Sequence, residues 1–102
     1  MKFYISGNAK NVEQFNKAER WIKLCSHTAI NSATIDLSNF QLNNWQTIKA
    51  HFDILANCDY IYMLKGWQSS KKAKAELAYA KLLGIKVKYE DKQWALKKQQ
   101  TI

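Results

Sequence analysis

Four times along this chain a short β-favouring run gives way to a stretch with helical period, and that alternation limits the architectures open to it. Phe3-Tyr4-Ile5 opens as a buried strand and leaves through the tight turn Ser6-Gly7-Asn8. Asn11 then stands as an N-cap with Gln14 in capping-box spacing. Phe15, Ala18, Trp21, Ile22 and Cys25 repeat along one helical face, which runs to about Leu24. Thr28 to Asn31 favours a strand, and the polar stretch from Ser32 to Asn43 reads as a long irregular connection with room for one turn of structure. Trp45, Ile48, Phe52 and Leu55 mark a second amphipathic helix ending near Asn57. Asp59 to Leu64 is the strongest strand signal, broken at Gly66. Ser69 or Ser70 can cap a third helix that continues through Leu83 and stops at Gly84, a residue suited to the left-handed position after a helix. Ile85 to Tyr89 is a further strand, and the tail from Asp91 reads as a short basic helix anchored by Trp94.

Parallel strands joined by right-handed helical crossovers satisfy such an alternation. The expected fold is an α/β three-layer sandwich around a small parallel sheet of about four strands, flavodoxin-like or Rossmann-like, with residues 1–102 forming one domain. In such sheets ligands sit outside the carboxyl ends of the strands, so the loops after Ile5, Asn31 and Leu64 are expected to converge on a site.

Composition narrows the function classes. A hydrophobic content of 47%, with 13% aromatic residues, excludes a disordered chain. The net charge of +8 is unevenly spread: residues 1–64 carry six Lys or Arg against five acids, and residues 65–102 carry ten against three. A basic half of this kind attracts nucleic acid or phosphorylated small molecules, and a solvated lysine-rich helix face is the plainer alternative. Cys25 and Cys58 lie apart without a CxxC partner or a nearby ligand pair, so both are expected to be buried free thiols, with no metal and no cofactor. Met1 to Ser6 lead directly into a strand with no charged leader or long apolar segment, which sets the expectation of a cytoplasmic protein off the membrane.

Several residues in order carry a resemblance. They are Phe3-Tyr4-Ile5-Ser6-Gly7, the Asn11 to Phe15 helix start, His27 with Asn31, Trp45, Cys58-Asp59, Gly66-Trp67, Ser70, and the Ala73 to Glu76 segment with Gly84. In these the chain resembles the family of small domains related to nucleoside 2-deoxyribosyltransferases and deoxynucleoside-monophosphate N-glycosidases. The resemblance implies that Glu76 matches the family's nucleophilic glutamate and Tyr4 the tyrosine lying against it. Helical spacing agrees, because Glu76 falls beside Ala73, Leu77 and Ala80 on the side facing the sheet. Such a carboxylate can attack an anomeric carbon as the nucleobase departs. The competing reading is a surface glutamate paired with Lys72 one turn earlier.

Where relatives usually carry an aspartate that positions substrate or protonates the leaving base, this chain has His51, a candidate proton donor. A small glycine of the family is replaced by Lys72, which either blocks the pocket or joins Lys71, Ser69 and Ser70 as a phosphate clamp near the positive end of a helix. Ser6, Gly7, Asn8, Asn31 and Trp67 are further expected ligand neighbours, each with a role in the fold as its alternative, Gly7 as a turn glycine among them. Asn8 and Ser32 stand where relatives commonly have proline. The resemblance also implies a homodimer with sites beside the symmetry axis.

Three functions compete. The first is cleavage or transfer at the N-glycosidic bond of a nucleoside or nucleotide, with Glu76, Tyr4 and His51 as catalytic group. The second is a non-catalytic nucleotide-binding protein, a sensor or sequestering domain on the same fold. The third is nucleic-acid binding through the basic half, with Trp67 and Trp94 for stacking, although no helix-turn-helix, RNA-recognition or oligonucleotide-binding motif is present.

Overall fold

Phe3, Tyr4, Ile5 and Ser6 are buried without a break because their strand, β1 (Lys2–Ser6), runs through the middle of a sheet covered on both faces. A computed structural model describes residues 1–35 and 44–90 of the chain. β1 is followed by α1 (Val12–Leu24), β2 (Thr28–Asn31), a 3-10 turn at Ser32–Thr34, α2 (Asn44–Ala56), β3 (Tyr60–Met63), a second 3-10 turn at Trp67–Ser69, α3 (Lys71–Leu82) and β4 (Lys86–Tyr89). The strands are parallel in the order β2-β1-β3-β4, with Tyr4 opposite Ile30 on one side and Ile61 on the other. This is the expected α/β flavodoxin-like arrangement. The chain moves outward from β1 to β2, then crosses back to β3 and on to β4, so the strand order reverses between β1 and β3.

The period of two along β1 divides the core into two clusters. Tyr4 faces Leu55 of α2 and Ala73, Leu77 and Ala80 of α3, together with Ile61 and Met63. Phe3 and Ile5 face Phe15, Ala18 and Ile22 of α1, with Tyr62 and Leu64. Helix α1 therefore forms one outer layer and α2 with α3 the other.

Helix ends follow the sequence with two refinements. Asn11 caps α1, its side chain accepting from the Gln14 N–H at 3.3 Å, but the Gln14 side chain does not complete a capping box. Its Nε2 donates instead to the Lys65 carbonyl and to Glu90, both at 2.9 Å. Ser70 caps α3, accepting from the Ala73 N–H at 3.1 Å, while Ser69 lies in the preceding turn. Gly66 and Gly84 take left-handed conformations, with φ of 91° and 76°.

Gly7 is needed for another reason than a turn. A Cβ there would lie 2.9 Å from Leu64 Cβ and 3.1 Å from Leu64 Cδ1, so the absence of a side chain lets the ends of β1 and β3 approach. Trp45, expected on the apolar face of α2, is 66% exposed. Both cysteines are free, Cys58 buried and Cys25 half-buried. The Trp94 tail and most of the Ser32 to Asn43 connection lie outside the described residues. Among the described residues no helix is long and apolar enough to cross a membrane, and no group of three or more His, Cys, Asp or Glu is placed to hold a metal ion.

Candidate active site

Alternation along β1 sends Tyr4 and Ser6 to the α3 face, and helical spacing sends Ala73, Glu76, Leu77 and Ala80 back toward them. Glu76 is thereby buried, 1% exposed, on the sheet next to the β1–β3 reversal. A carboxylate in that position is costly unless donors surround it. Among the described residues three do: the Tyr4 hydroxyl donates to Oε2 at 2.5 Å, Ser6 Oγ donates to Oε1 at 2.7 Å, and Lys72 Nζ donates to Oε2 at 2.6 Å. Glu76 thus faces inward, as helical spacing predicts, and pairs with Lys72 without being a surface residue.

The donors differ in freedom. Tyr4 and Ser6 are fully buried on the central strand, whereas the Lys72 side chain is 31% exposed. Burial first, then the charge and hydrogen bond of Glu76, push the Tyr4 phenol well above its ordinary value of 10.0. It stays protonated and acts as a fixed donor.

His51, on α2, reaches the same carboxylate. It is 6% exposed, and Nδ1 lies 3.9 Å from Glu76 Oε2, too far for a hydrogen bond. That nitrogen is buried and has no hydrogen-bond partner among the described residues. Burial first, and the Lys72 ammonium second, hold the imidazole below its ordinary 6.5 against the opposing pull of Glu76. Burial therefore disfavours the charged imidazole, which weighs against His51 as the proton donor expected from the sequence.

Glu76 and the Tyr4 hydroxyl are in direct contact, and Lys72 links the carboxylate to open space. A cavity of about 430 Å³ is lined by Thr47 and Ile48 of α2 and by Lys71, Lys72 and Ala75 of α3. Thr47 precedes His51 by one helical turn, as Lys72 precedes Glu76. Lys72 belongs to both places, its side chain lining the cavity and its ammonium resting on the buried carboxylate.

Around the carboxyl edge, Asn8 Nδ2 donates to Ser69 Oγ at 3.1 Å and Ser69 Oγ donates to the Gly66 carbonyl at 2.8 Å, tying the loop after β1 to the loop after β3. Trp67 packs against the α3-side core and tilts onto Tyr89 at a ring distance of 6.3 Å. Asn31 is not part of this assembly. It pairs with Ile5 in the sheet and points to the α1 side, where its Nδ2 donates to Asn16 and Glu19, both at 3.0 Å, and its Oδ1 caps the 3-10 turn through the Ala33 N–H. Those bonds give it a structural role on the face opposite Glu76.

Two contributors were not apparent from the sequence. Ser32 Oγ donates to the Ile5 carbonyl at 2.6 Å and fixes the end of β1. Glu90 accepts from the Lys65 N–H at 2.8 Å and from Gln14, fixing the turn that leads from β3 toward α3. Its partners lie 25 and 76 residues away, so no local pattern could have marked it.

A family model described as a domain of unknown function (DUF4406) matches residues 1–89, and the chain belongs to that family. No curated protein matches the sequence. Among solved structures, a 2-deoxyribosyltransferase from the psychrotolerant bacterium Bacillus psychrosaccharolyticus, described as a biocatalyst for nucleoside synthesis, is similar with a TM-score of 0.71. The match covers 87% of this chain and 71% of that one at 18% identity, and it establishes a shared fold.

Proposed function

We propose that this domain acts on the N-glycosidic bond of a nucleoside or nucleotide, with Glu76 as nucleophile. The observation that carries this reading is a carboxylate 1% exposed at the strand-order reversal, oriented by two fully buried hydroxyls and covered by one movable cation. The fold shared with a 2-deoxyribosyltransferase supports it.

Tyr4 and Ser6 hold one hydrogen bond on each oxygen, fixing the plane of the carboxylate. This reading requires Lys72 to move aside and so open Oε2 to the cavity that the lysine side chain lines. Oε2 bonds to the anomeric carbon as the carbon–nitrogen bond breaks, and the electron pair of that bond leaves with the base, which takes a proton from solvent. Water then attacks the same carbon, gives its proton to solvent and releases the carboxylate; an acceptor base in place of water gives transfer.

A second reading, a nucleotide-binding protein without turnover, is favoured by one observation: the Lys72 ammonium is bonded to Oε2, the oxygen proposed to attack. Incubation with nucleosides, nucleotides and a free acceptor base, with chromatography for released or exchanged base, separates the two. The enzymatic reading predicts base release that falls by at least about 10³-fold in Glu76→Gln. Thermal stabilisation by a nucleotide with no release from any substrate would select the binding reading.

A further inference from the structure

Resting on that reading of the site, we propose that Lys72 makes it selective for a phosphorylated ligand: a phosphate group entering the cavity beside α3 draws the ammonium off Glu76 and so uncovers the carboxylate. Of the three donors to Glu76 among the described residues, Lys72 is the one free to leave, because Tyr4 and Ser6 belong to the buried central strand while the lysine stem runs to the surface and lines the cavity. A neutral nucleoside carries no group able to compete with a carboxylate for an ammonium ion. A phosphate monoester does, since it offers two negative charges and several acceptor oxygens.

The surroundings of the cavity favour the same ligand. Lys71 lines it beside Lys72, and both stand in the first turn of the twelve-residue helix α3, whose positive end adds to their field. Among the described residues no acidic side chain lines it.

A second observation lies beneath the ammonium. His51 Nδ1 is buried, unpartnered among the described residues and 3.9 Å from Glu76 Oε2, so with Lys72 in place the site holds a polar atom with nothing to bond. In this proposal the lysine, swinging toward a phosphate, frees its place on Oε2, and a sugar hydroxyl taking that place meets the unpartnered Nδ1 3.9 Å from the same oxygen. The unmet nitrogen thus marks where the rest of the ligand goes once the phosphate has moved the cation.

The test compares a nucleoside with its 5′-monophosphate, and with inorganic phosphate alone, on the wild-type protein, Lys72→Met and Lys72→Gln. Base release and calorimetric binding are both measured, with circular dichroism confirming that each variant is folded. In the wild type the monophosphate is expected to be favoured over the nucleoside by about 10-fold or more, and inorganic phosphate to compete with it. Both Lys72 variants are expected to lower that ratio to the small preference that Lys71 and the helix end supply. A wild-type ratio near unity, or a phosphate preference undiminished in both variants, would overturn the assignment. Its failure is distinct from failure of the glycosidic reading: equal release from both substrates, abolished in Glu76→Gln, would leave the enzyme without the Lys72 selectivity. Binding that prefers monophosphate through Lys72 with no base release would do the reverse.

Discussion

Replacing Tyr4 with phenylalanine removes one oxygen from the middle of the sheet and leaves the ring in place among Leu55, Ile61 and Met63. The lost group donates to a buried carboxylate at 2.5 Å, and hydrogen bonds to charged partners contribute about 1.5–3 kcal/mol. Oε2 keeps its bond from Lys72 and Oε1 its bond from Ser6, so the carboxylate is weakened without being abandoned. A loss of about 2 kcal/mol is expected, equivalent to a fall of roughly 8–16 °C in Tm for a domain of this size. Urea unfolding followed by tryptophan fluorescence should show a lower midpoint with an unchanged slope. The alkaline side gives a second signature. Because the folded phenol is held above its ordinary 10.0, its contribution is present below about pH 10 and is lost as the pH rises beyond it, since the unfolded chain ionises first. Tyr4→Phe should lose stability less steeply there than the wild type. A change under about 0.5 kcal/mol, in the range of an inconsequential surface substitution, would refute the contact between hydroxyl and carboxylate.

Gly7→Ala should cost about 1–3 kcal/mol by forcing a methyl group against Leu64, and an unchanged urea midpoint would mean that the ends of β1 and β3 are not in close contact. His51, with its folded pKa below 6.5, favours the folded state fully above that pH, and the contribution is lost as the pH falls from 6.5 through the lowered value. Unfolding midpoints measured from pH 7.5 to pH 5 should therefore drop less in His51→Gln than in the wild type, and identical profiles would contradict a buried neutral imidazole. Asn31→Ala should destabilise by about 1 kcal/mol through loss of its cap, while nucleotide binding is unchanged because the residue faces α1; weakened binding at full stability would place it back in the site.

Much of this architecture was legible because its signals are local. The caps at Asn11 and Ser70, the strand break at Gly66, the left-handed Gly84, and the inward stripe Ala73, Glu76, Leu77, Ala80 each depend on residues within a few positions of one another. Contacts between distant segments were not legible. Gln14 has capping-box spacing, yet its side chain is drawn to Lys65 and Glu90, where it satisfies a loop carbonyl and a carboxylate across the sheet edge. Gly7 sits in a turn-like sequence, but its indispensable property is the missing Cβ facing Leu64 on another strand. Asn31 could have been assigned to the correct face by counting, because alternation along β2 places it with Ala29 and opposite to Ile30. Lys72 and Glu76 show the limit of spacing as a guide: an ordinary i,i+4 pair looks the same in sequence whether it lies in water or, as here, runs from the surface to a buried carboxylate.

Mass spectrometry of a quenched reaction tests the central claim most directly, with the protein mixed with nucleosides and 5′-monophosphates and then digested. The account predicts that the sugar portion of the substrate, without its base, is found covalently attached to the peptide containing Glu76, and that Glu76→Gln shows neither adduct nor base release. Base release that continues undiminished in Glu76→Gln would contradict it.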